Sequence, residues 1–262
     1  MPHTGQMRYA EDTPQIPAAA LANPDADQME RIASRARPIR VRLKLTPSFI
    51  GERQSGNVIG GIIGSERPEE IVLIGGHLDS WRLGTGTVDD GAGIAISTAA
   101  AKLILDSGER PRRTIRRVYW GSEEVGLLGG SAYLEAHRNQ VEQHIIGTES
   151  DFSAGRAWGV TAQASDAGQD VVDQISQLLA SIGIARGDMD TSASAPDLTP
   201  LVKAGLPSFR FTQYGMDFFD LHHTPDDTLD KIEPAALDQN TAAFAVFAWL
   251  GANSSVDFRR RP

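Results

Sequence analysis

Four apolar residues in an unbroken row, Ile71-Val72-Leu73-Ile74, leave a β-strand no face to give to water. Such a run marks a strand covered on both faces, and sheets of that kind are mostly parallel, with helices packed above and below. The rest of the chain reads the same way. Strands are expected at Asn57 to Ile63, Thr114 to Trp120, His144 to Gly147 and Pro207 to Phe211. Between and after them, helices are expected at Gly91 to Leu105, Ala132 to His137, Gln169 to Ile182 and Pro234 to Leu250. In the third of these, Val171, Val172, Ile175, Leu178 and Leu179 recur at helical spacing. Strands alternating with helices predict an α/β fold with a mostly parallel central sheet. At 262 residues the chain is long enough for one such domain with a real core.

The N-terminal fifth is different in kind. Residues 1–22 are rich in Pro, Ala and polar groups and read as a loop, and Pro24 and Asp25 start a short helix through about Ala36. Pro38 to Leu45 alternates basic and apolar residues, which predicts a half-buried strand with Ile39, Val41, Leu43 and Leu45 on one face. Met1 to Asp12 is polar and has no apolar signal core, so the chain reads either as cytoplasmic or as starting beyond an export signal. At the other end, Arg259-Arg260-Arg261 is expected to be solvated.

Composition excludes several functions. The 25 basic against 34 acidic residues leave a formal charge of −9, which argues against nucleic acid as a partner because phosphate binding needs a basic face. The same balance suits a site that holds cations. With no cysteine there is no disulfide, no thiolate metal ligand and no cysteine nucleophile. No apolar stretch approaches the 18 or so residues of a membrane span. Gly-x-Ser-x-Gly and His-Glu-x-x-His are both missing, and Gly91-Ala92-Gly93 lacks the third glycine of a dinucleotide fingerprint.

What remains is a set of acids and histidines placed just beyond the expected strands. His77-Leu78-Asp79 follows the Ile71–Ile74 run, Glu123-Glu124 follows Thr114 to Trp120, and Glu149-Ser150-Asp151 follows His144 to Gly147. Asp89-Asp90 opens the Gly91 helix, and His222-His223-Thr224-Pro225-Asp226-Asp227-Thr228 lies in a turn-rich stretch. In α/β sheets ligands collect beyond the carboxyl ends of the strands. Two imidazoles with several carboxylates form the donor set that zinc prefers, while cobalt or manganese also fits nitrogen and oxygen ligands. Paired metals bring a charge of about +4, which a bridging Asp and two further carboxylates would largely balance.

Side roles follow from spacing. His77 and Asp79 are two apart, so on extended backbone they face the same way, and Asp79 is expected to accept a hydrogen bond from the imidazole and orient it. Adjacent Glu123 and Glu124 point apart, which suits one metal ligand beside one free general base. Asp90 is expected to cap the following helix or support the site. Asp227 is a candidate for orienting the loop or its histidine, and Tyr214 and Asp197 for shaping the substrate pocket. His137 and His144 have no partner motif and are expected at the surface, and His3 in a loose start.

These motifs, in this order, resemble the zinc-dependent aminopeptidases and carboxypeptidase Q-like metallopeptidases, over roughly residues 55–250. The resemblance implies a three-layer α/β/α sandwich of the di-zinc exopeptidase type, with a mostly parallel, mixed central sheet. It implies two zinc ions: His77 and Asp151 on one, Glu124 and His223 on the other, Asp89 between them. It implies Glu123 as the base for the attacking water, Asp79 in support, and hydrolysis of N-terminal peptide bonds or dipeptides. Relatives of this kind are commonly exported and carry an inserted lid-like domain. Residues 1–50 then read as the remnant of that insert and 51–262 as the catalytic domain. Two alternatives share the fold: a single-zinc acyl-transfer enzyme resembling glutaminyl cyclases, and a catalytically silent binding module.

Overall fold

The computed structural model of the chain describes residues 1–48, 50–152, 154–188 and 195–259. Its centre is a seven-stranded mixed sheet. The strands are β1 (Val58–Ile62), β2 (Arg67–His77), β3 (Arg113–Trp120), β4 (His144–Glu149), β5 (Ala157–Gln163), β6 (Ala185–Arg186) and β7 (Ser208–Gln213). They lie in the order β1-β3-β2-β4-β7-β5-β6. Strands β3, β2, β4 and β7 are parallel, while β1 pairs antiparallel with β3 and β5 antiparallel with β7. The chain runs from β2 to β3 on one side and returns to β4 on the other. That reversal opens a crevice at the carboxyl ends of β2 and β4, where α/β sheets bind their ligands.

The Ile71–Ile74 run lies in β2 with every residue at 2% exposure or less, as its lack of a wet face requires. Val72 and Ile74 pack into the larger core, with Ile96 and Ala100 of α2 (Ala92–Asp106) and Phe244 and Phe247 of α7 (Pro234–Asn253). Helix α4 (Asp166–Leu179) joins this layer through Val171, Val172 and Ile175, and Ser165 caps it by accepting from the Gly168 amide at 3.2 Å. Leu73 faces the other way, into a smaller core with Val118, Trp120 and Tyr133 of α3 (Leu128–Ala136) and Leu201 of α5 (Thr199–Lys203). Each such aliphatic side chain contributes about 1.5–3 kcal/mol by leaving water. Two helical layers with a sheet between them make the expected three-layer α/β/α sandwich.

The N-terminal region departs from expectation. Helix α1 (Asn23–Ala33) forms, but Pro38 to Leu45 is not a strand, and Ile39, Val41, Leu43 and Leu45 are 36%, 61%, 49% and 39% exposed. Alternation specifies two faces, and a strand also needs a neighbour to pair with and a core to cover. Neither is present beside residues 38–45 among the described residues. Strand β5 was not expected: Ala157-Trp158-Gly159 is poor in β-branched residues, and the strand forms by pairing with β7 and burying Val160. The short helices α5 and α6 (Phe218–Leu221) are likewise additions. Of the C-terminal arginines, Arg259 pairs with Asp257 at 2.7 Å, and Arg260 and Arg261 lie outside the described residues. No helix among the described residues is long and apolar enough to cross a membrane.

Candidate metal centre

Three parallel strands deliver the acids and one histidine to one edge. His77 is the last residue of β2, Glu123 and Glu124 follow β3, and Asp151 follows β4. Backbone bonds hold these ends together, from the Leu78 amide to the Trp120 carbonyl at 2.7 Å and from the Ser150 amide to the Gly75 carbonyl at 3.2 Å. Asp89 arrives on the turn before α2, and His223 on the loop after α6 with φ +59°, a left-handed conformation uncommon for a side-chain-bearing residue. The Asp89–Asp90 peptide is cis.

The five expected ligands meet. His77 Nε2 lies 3.1 Å from Asp89 Oδ1 and 3.1 Å from Asp151 Oδ1. His223 Nε2 lies 3.2 Å from Asp89 Oδ2 and 2.9 Å from Glu124 Oε2. Asp89 therefore turns one oxygen to each histidine, with Asp151 flanking one side and Glu124 the other. Donor atoms of His77, Asp89 and Glu124 all fall within 4.8 Å of one another. His77 and Asp151 also group with Asp90 at that limit. Both Asp90 oxygens are committed elsewhere, however: Oδ2 accepts from the His77 amide at 2.9 Å and Oδ1 from the Gly93 amide at 3.0 Å. Asp90, one residue before the N-cap Gly91, thus supports the site by tying the first turn of α2 to the end of β2. That brace needs bare backbone on both sides. A Cβ on Gly76 would meet Asp90 Oδ2 at 2.5 Å, and one on Gly93 would meet the Ser150 carbonyl at 2.1 Å.

Neighbouring groups fix the imidazoles. His77 Nδ1 lies 2.8 Å from the backbone carbonyl of Asp79, which sets the tautomer that aims Nε2 into the cluster. The carboxylate of Asp79 does something other than expected: it stands 3.9 Å from His77 Nδ1. Its oxygens accept instead from the amides of Glu123 at 2.9 Å and Glu124 at 3.2 Å, so it pins the turn that bears both glutamates. Asp227 also acts on a loop rather than on a histidine. Its Oδ1 accepts from the Val88 amide at 2.6 Å, anchoring the turn that carries Asp89. His222 stacks on His223 with ring centroids 3.5 Å apart and stands farther from Asp89 Oδ2, at 3.6 Å. It has no Glu124 contact, so His223 is the better-placed donor.

The electrostatics favour positive charge here. Burial opposes protonation of His77, but its bonds to Asp151 and Asp89 outweigh that and raise its pKa well above the usual range. His223 behaves alike: burial opposes, and Asp89 and Glu124 raise it to about 9. Burial, and then the charge of Asp151, push Glu123 up to about 8. Oε1 of Glu124 is buried without a hydrogen-bond partner, as are both carboxylate oxygens of Glu149 behind the cluster. A buried carboxylate oxygen without a donor is costly. A cation at the cleft floor would relieve Glu124, and the nitrogen and oxygen donors suit zinc. The residues present thus fit a divalent metal.

The cluster floors a cleft of about 390 Å³, bounded also by Trp81, Leu127, Pro196 and Phe218. A larger cavity of about 640 Å³ lies next to it behind Phe218, lined by Tyr214 and Trp158, and holds no histidine. Size alone would favour the larger space, but the donor chemistry is in the smaller. Tyr214 belongs to the neighbour, and Asp197 is wholly buried, with burial pushing its carboxyl up to about 7. Sequence reasoning missed the N-terminal residues. His223 Nδ1 lies 3.1 Å from the Thr4 carbonyl, and the Thr4 amide returns a 2.9 Å bond to the His223 carbonyl. Gln6 and Arg8 line the cleft, and the His3 ring is 6.0 Å from His222, so the start of the chain is part of the site. Nothing in the composition of residues 1–10 signals this. His144, expected at the surface, is 0% exposed, and His137 is half-buried against Tyr133 with centroids 4.1 Å apart.

Comparison with known proteins follows the same lines. Residues 57–248 match the model of peptidase family M28. Carboxypeptidase Q of Mus musculus is 33% identical over 252 residues, which cover 96% of this chain and 53% of the relative. The crystal structure of a peptidase M28 precursor from Shewanella amazonensis superposes with a TM-score of 0.91 at 45% identity, covering all of this chain and 59% of that one. A zinc aminopeptidase of Bacillus subtilis shares the fold, with a TM-score of 0.57 at 20% identity over 73% of this chain and 49% of its own. The chain spans about half the length of the curated relatives it matches.

Proposed function

The chain belongs to peptidase family M28, and from that premise we propose that it is a zinc-dependent exopeptidase that removes N-terminal residues from peptides or splits dipeptides. The observation that carries this reading is Asp89, whose two oxygens address His77 and His223 separately, with Asp151 and Glu124 as outer partners. On this reading His77 and Asp151 hold one zinc, His223 and Glu124 a second, and Asp89 serves both. Bound there, such ions supply Lewis-acid polarisation of the scissile carbonyl, water of lowered pKa, and the positive charge that keeps Glu123 ionised.

Glu123 is the general base. It lines the cleft beside the donors, takes a proton from the attacking water and returns it to the departing amine. Asp79 holds the amides of Glu123 and Glu124 in one grip, so base and ligand keep a fixed relation. A cleft of about 390 Å³ is at the small end of ligand sites, which suits a dipeptide or one peptide end. Residues 51–262 make up the catalytic domain. Residues 1–50 are the end of a lid or inserted domain, which agrees with a family match beginning at residue 57 and with the uncovered apolar row at 39–45. The full set of five donors speaks against both the single-zinc acyl-transfer reading and a silent binding module.

The test is Glu123→Gln, assayed on aminoacyl-nitroanilides and free dipeptides beside a zinc determination. Turnover is expected to fall by about 10²–10⁴-fold, the usual contribution of a general base, with zinc content unchanged. A variant that kept most of its activity would refute the role of Glu123. Activity that survived full chelation would refute the metallopeptidase reading itself.

A further inference from the structure

The lining of the cleft sets one guanidinium among its acids. Its floor holds Asp89, Glu123, Glu124 and Asp151, and among the described lining residues Arg8 is the only lysine or arginine. Among the described residues Arg8 forms no ion pair with any carboxylate. Its guanidinium is nonetheless held. Nε and Nη2 donate to Gln6 Oε1 at 2.9 and 2.7 Å, and Gln6 Nε2 donates to the backbone carbonyl of Glu124 at 2.8 Å. Arg8 is thus tied through one amide to the residue proposed as a zinc ligand. The segment that bears it is fastened a second time, by the bonds between Thr4 and His223.

This arrangement leaves a defined donor surface. The Nε–Nη2 edge is occupied by Gln6, and the Nη1–Nη2 edge makes no hydrogen bond among the described residues. A guanidinium presents two parallel N–H groups along such an edge, the spacing of a carboxylate's two oxygens. Arg8 and Gln6 are exposed at the mouth, whereas Asp89 and Glu124 are buried at the floor. An exopeptidase substrate enters with its terminal residue at the floor, so the leaving residue points to the mouth. In a dipeptide the leaving residue ends in an α-carboxylate, about 2.5 Å from the scissile nitrogen.

We propose that Arg8, held by Gln6, is a specificity-determining residue that binds the free carboxylate of the leaving residue and so favours dipeptides over longer or C-terminally blocked peptides. This rests on the exopeptidase reading and adds a residue and a direction to it.

The experiment compares one dipeptide with its C-terminal amide, on zinc-loaded wild-type protein and on Arg8→Met and Arg8→Lys. For the free dipeptide, Arg8→Met is expected to lower kcat/KM by about 10- to 100-fold, the range for a hydrogen bond to a charged group, mainly through KM. The fall for the amide should be far smaller, and Arg8→Lys should recover part of the loss on the free dipeptide only. An equal fall for both substrates, or no fall for either, overturns the assignment of Arg8 while leaving the peptidase intact. If the zinc-loaded wild type hydrolyses neither substrate, the exopeptidase reading fails, and the role of Arg8 fails with it.

Discussion

His77 and His144 lie on neighbouring parallel strands, at opposite ends, and both are shut away from water at 1% and 0% exposure. His77 closes β2 among carboxylates, and its pKa rises despite burial. His144 opens β4, where burial first, and then the charge of Arg116, lower its pKa to about 4. Every hydrogen bond around His144 is consistent with a neutral ring. Nδ1 donates to the Gln140 carbonyl at 2.8 Å, Nε2 accepts from the Tyr133 hydroxyl at 2.8 Å, and Arg116 donates to that hydroxyl at 2.8 Å. The same side chain at the same depth is therefore a candidate ligand at the carboxyl end of the sheet and a structural hinge-pin at the amino end. Surroundings decide which, through the sign of the charge they favour.

Exchanging each histidine should break the symmetry between them. His77→Ala removes a proposed ligand that also contacts Asp89 and Asp151. Loss of several kcal/mol of metal assistance corresponds to a fall of about 10³-fold or more in kcat/KM, with lower zinc content. His144→Ala should leave activity within a few-fold. It should cost about 2–3 kcal/mol of stability, because the buried Tyr133 hydroxyl loses its acceptor and a cavity opens. Activity, zinc content and chemical denaturation on the two variants settle the contrast. If the two lost activity equally, the distinction between the ends of the sheet would be wrong.

Acid sharpens the same contrast. The folded pKa of His144 is about 4 against 6.5 for an unperturbed histidine. Between those values the unfolded chain binds a proton that the native state refuses, so stability falls as pH drops from 6.5 toward 4. At about 1.4 kcal/mol per unit the loss from this one ring is roughly 3 kcal/mol. His144→Gln can still accept from Tyr133 and donate to Gln140 but does not titrate. Denaturation midpoints at pH 7, 5.5 and 4.5 should fall more steeply for the wild type than for His144→Gln. Parallel slopes would mean that another group carries the acid sensitivity.

What the sequence revealed follows from which physics is local. His77, Glu123, Glu124 and Asp151 were legible because each comes just after a strand run, and parallel strands place such positions at one edge, whereas Asp89 and His223, on turns, were legible through the resemblance of their motifs. Helix α4 was legible from its helical spacing, and α2 from a long apolar run. What a side chain does across space was not. Asp79 stands two residues from His77, yet its carboxylate turns to Glu123 and Glu124 while its carbonyl takes the imidazole. His144 had no partner motif because Tyr133 and Arg116 belong to α3 and β3. Thr4 and Gln6 are more than a hundred residues from the groups they meet.

The Asp79 assignment yields a smaller effect that separates the two geometries. Asp79→Asn keeps one acceptor for two amides and leaves the backbone carbonyl on His77 untouched. Loss of one charge-assisted bond predicts a fall in kcat of about tenfold, with zinc affinity unchanged. Were the carboxylate instead the orienting partner of His77, zinc affinity would drop by about 10- to 100-fold, as is usual when such a partner is removed. Zinc titration of the variant distinguishes the two.

The weakest effect is expected where sequence pattern and structure disagree most. Val72 and Val41 both look like strand valines, but Val72 is 0% exposed between two helical layers and Val41 is 61% exposed with no pairing strand among the described residues. Val41→Ser and Leu43→Ser should therefore change stability by less than about 0.5 kcal/mol, the usual range for exposed positions. Val72→Ala should cost about 2 kcal/mol or more in lost burial and residual cavity. A large loss at Val41 or Leu43 would mean that the alternating row covers a core after all. The amphipathic signal at 38–45 would then describe a packed strand, and the contrast between a strand with neighbours and one without would have to be withdrawn.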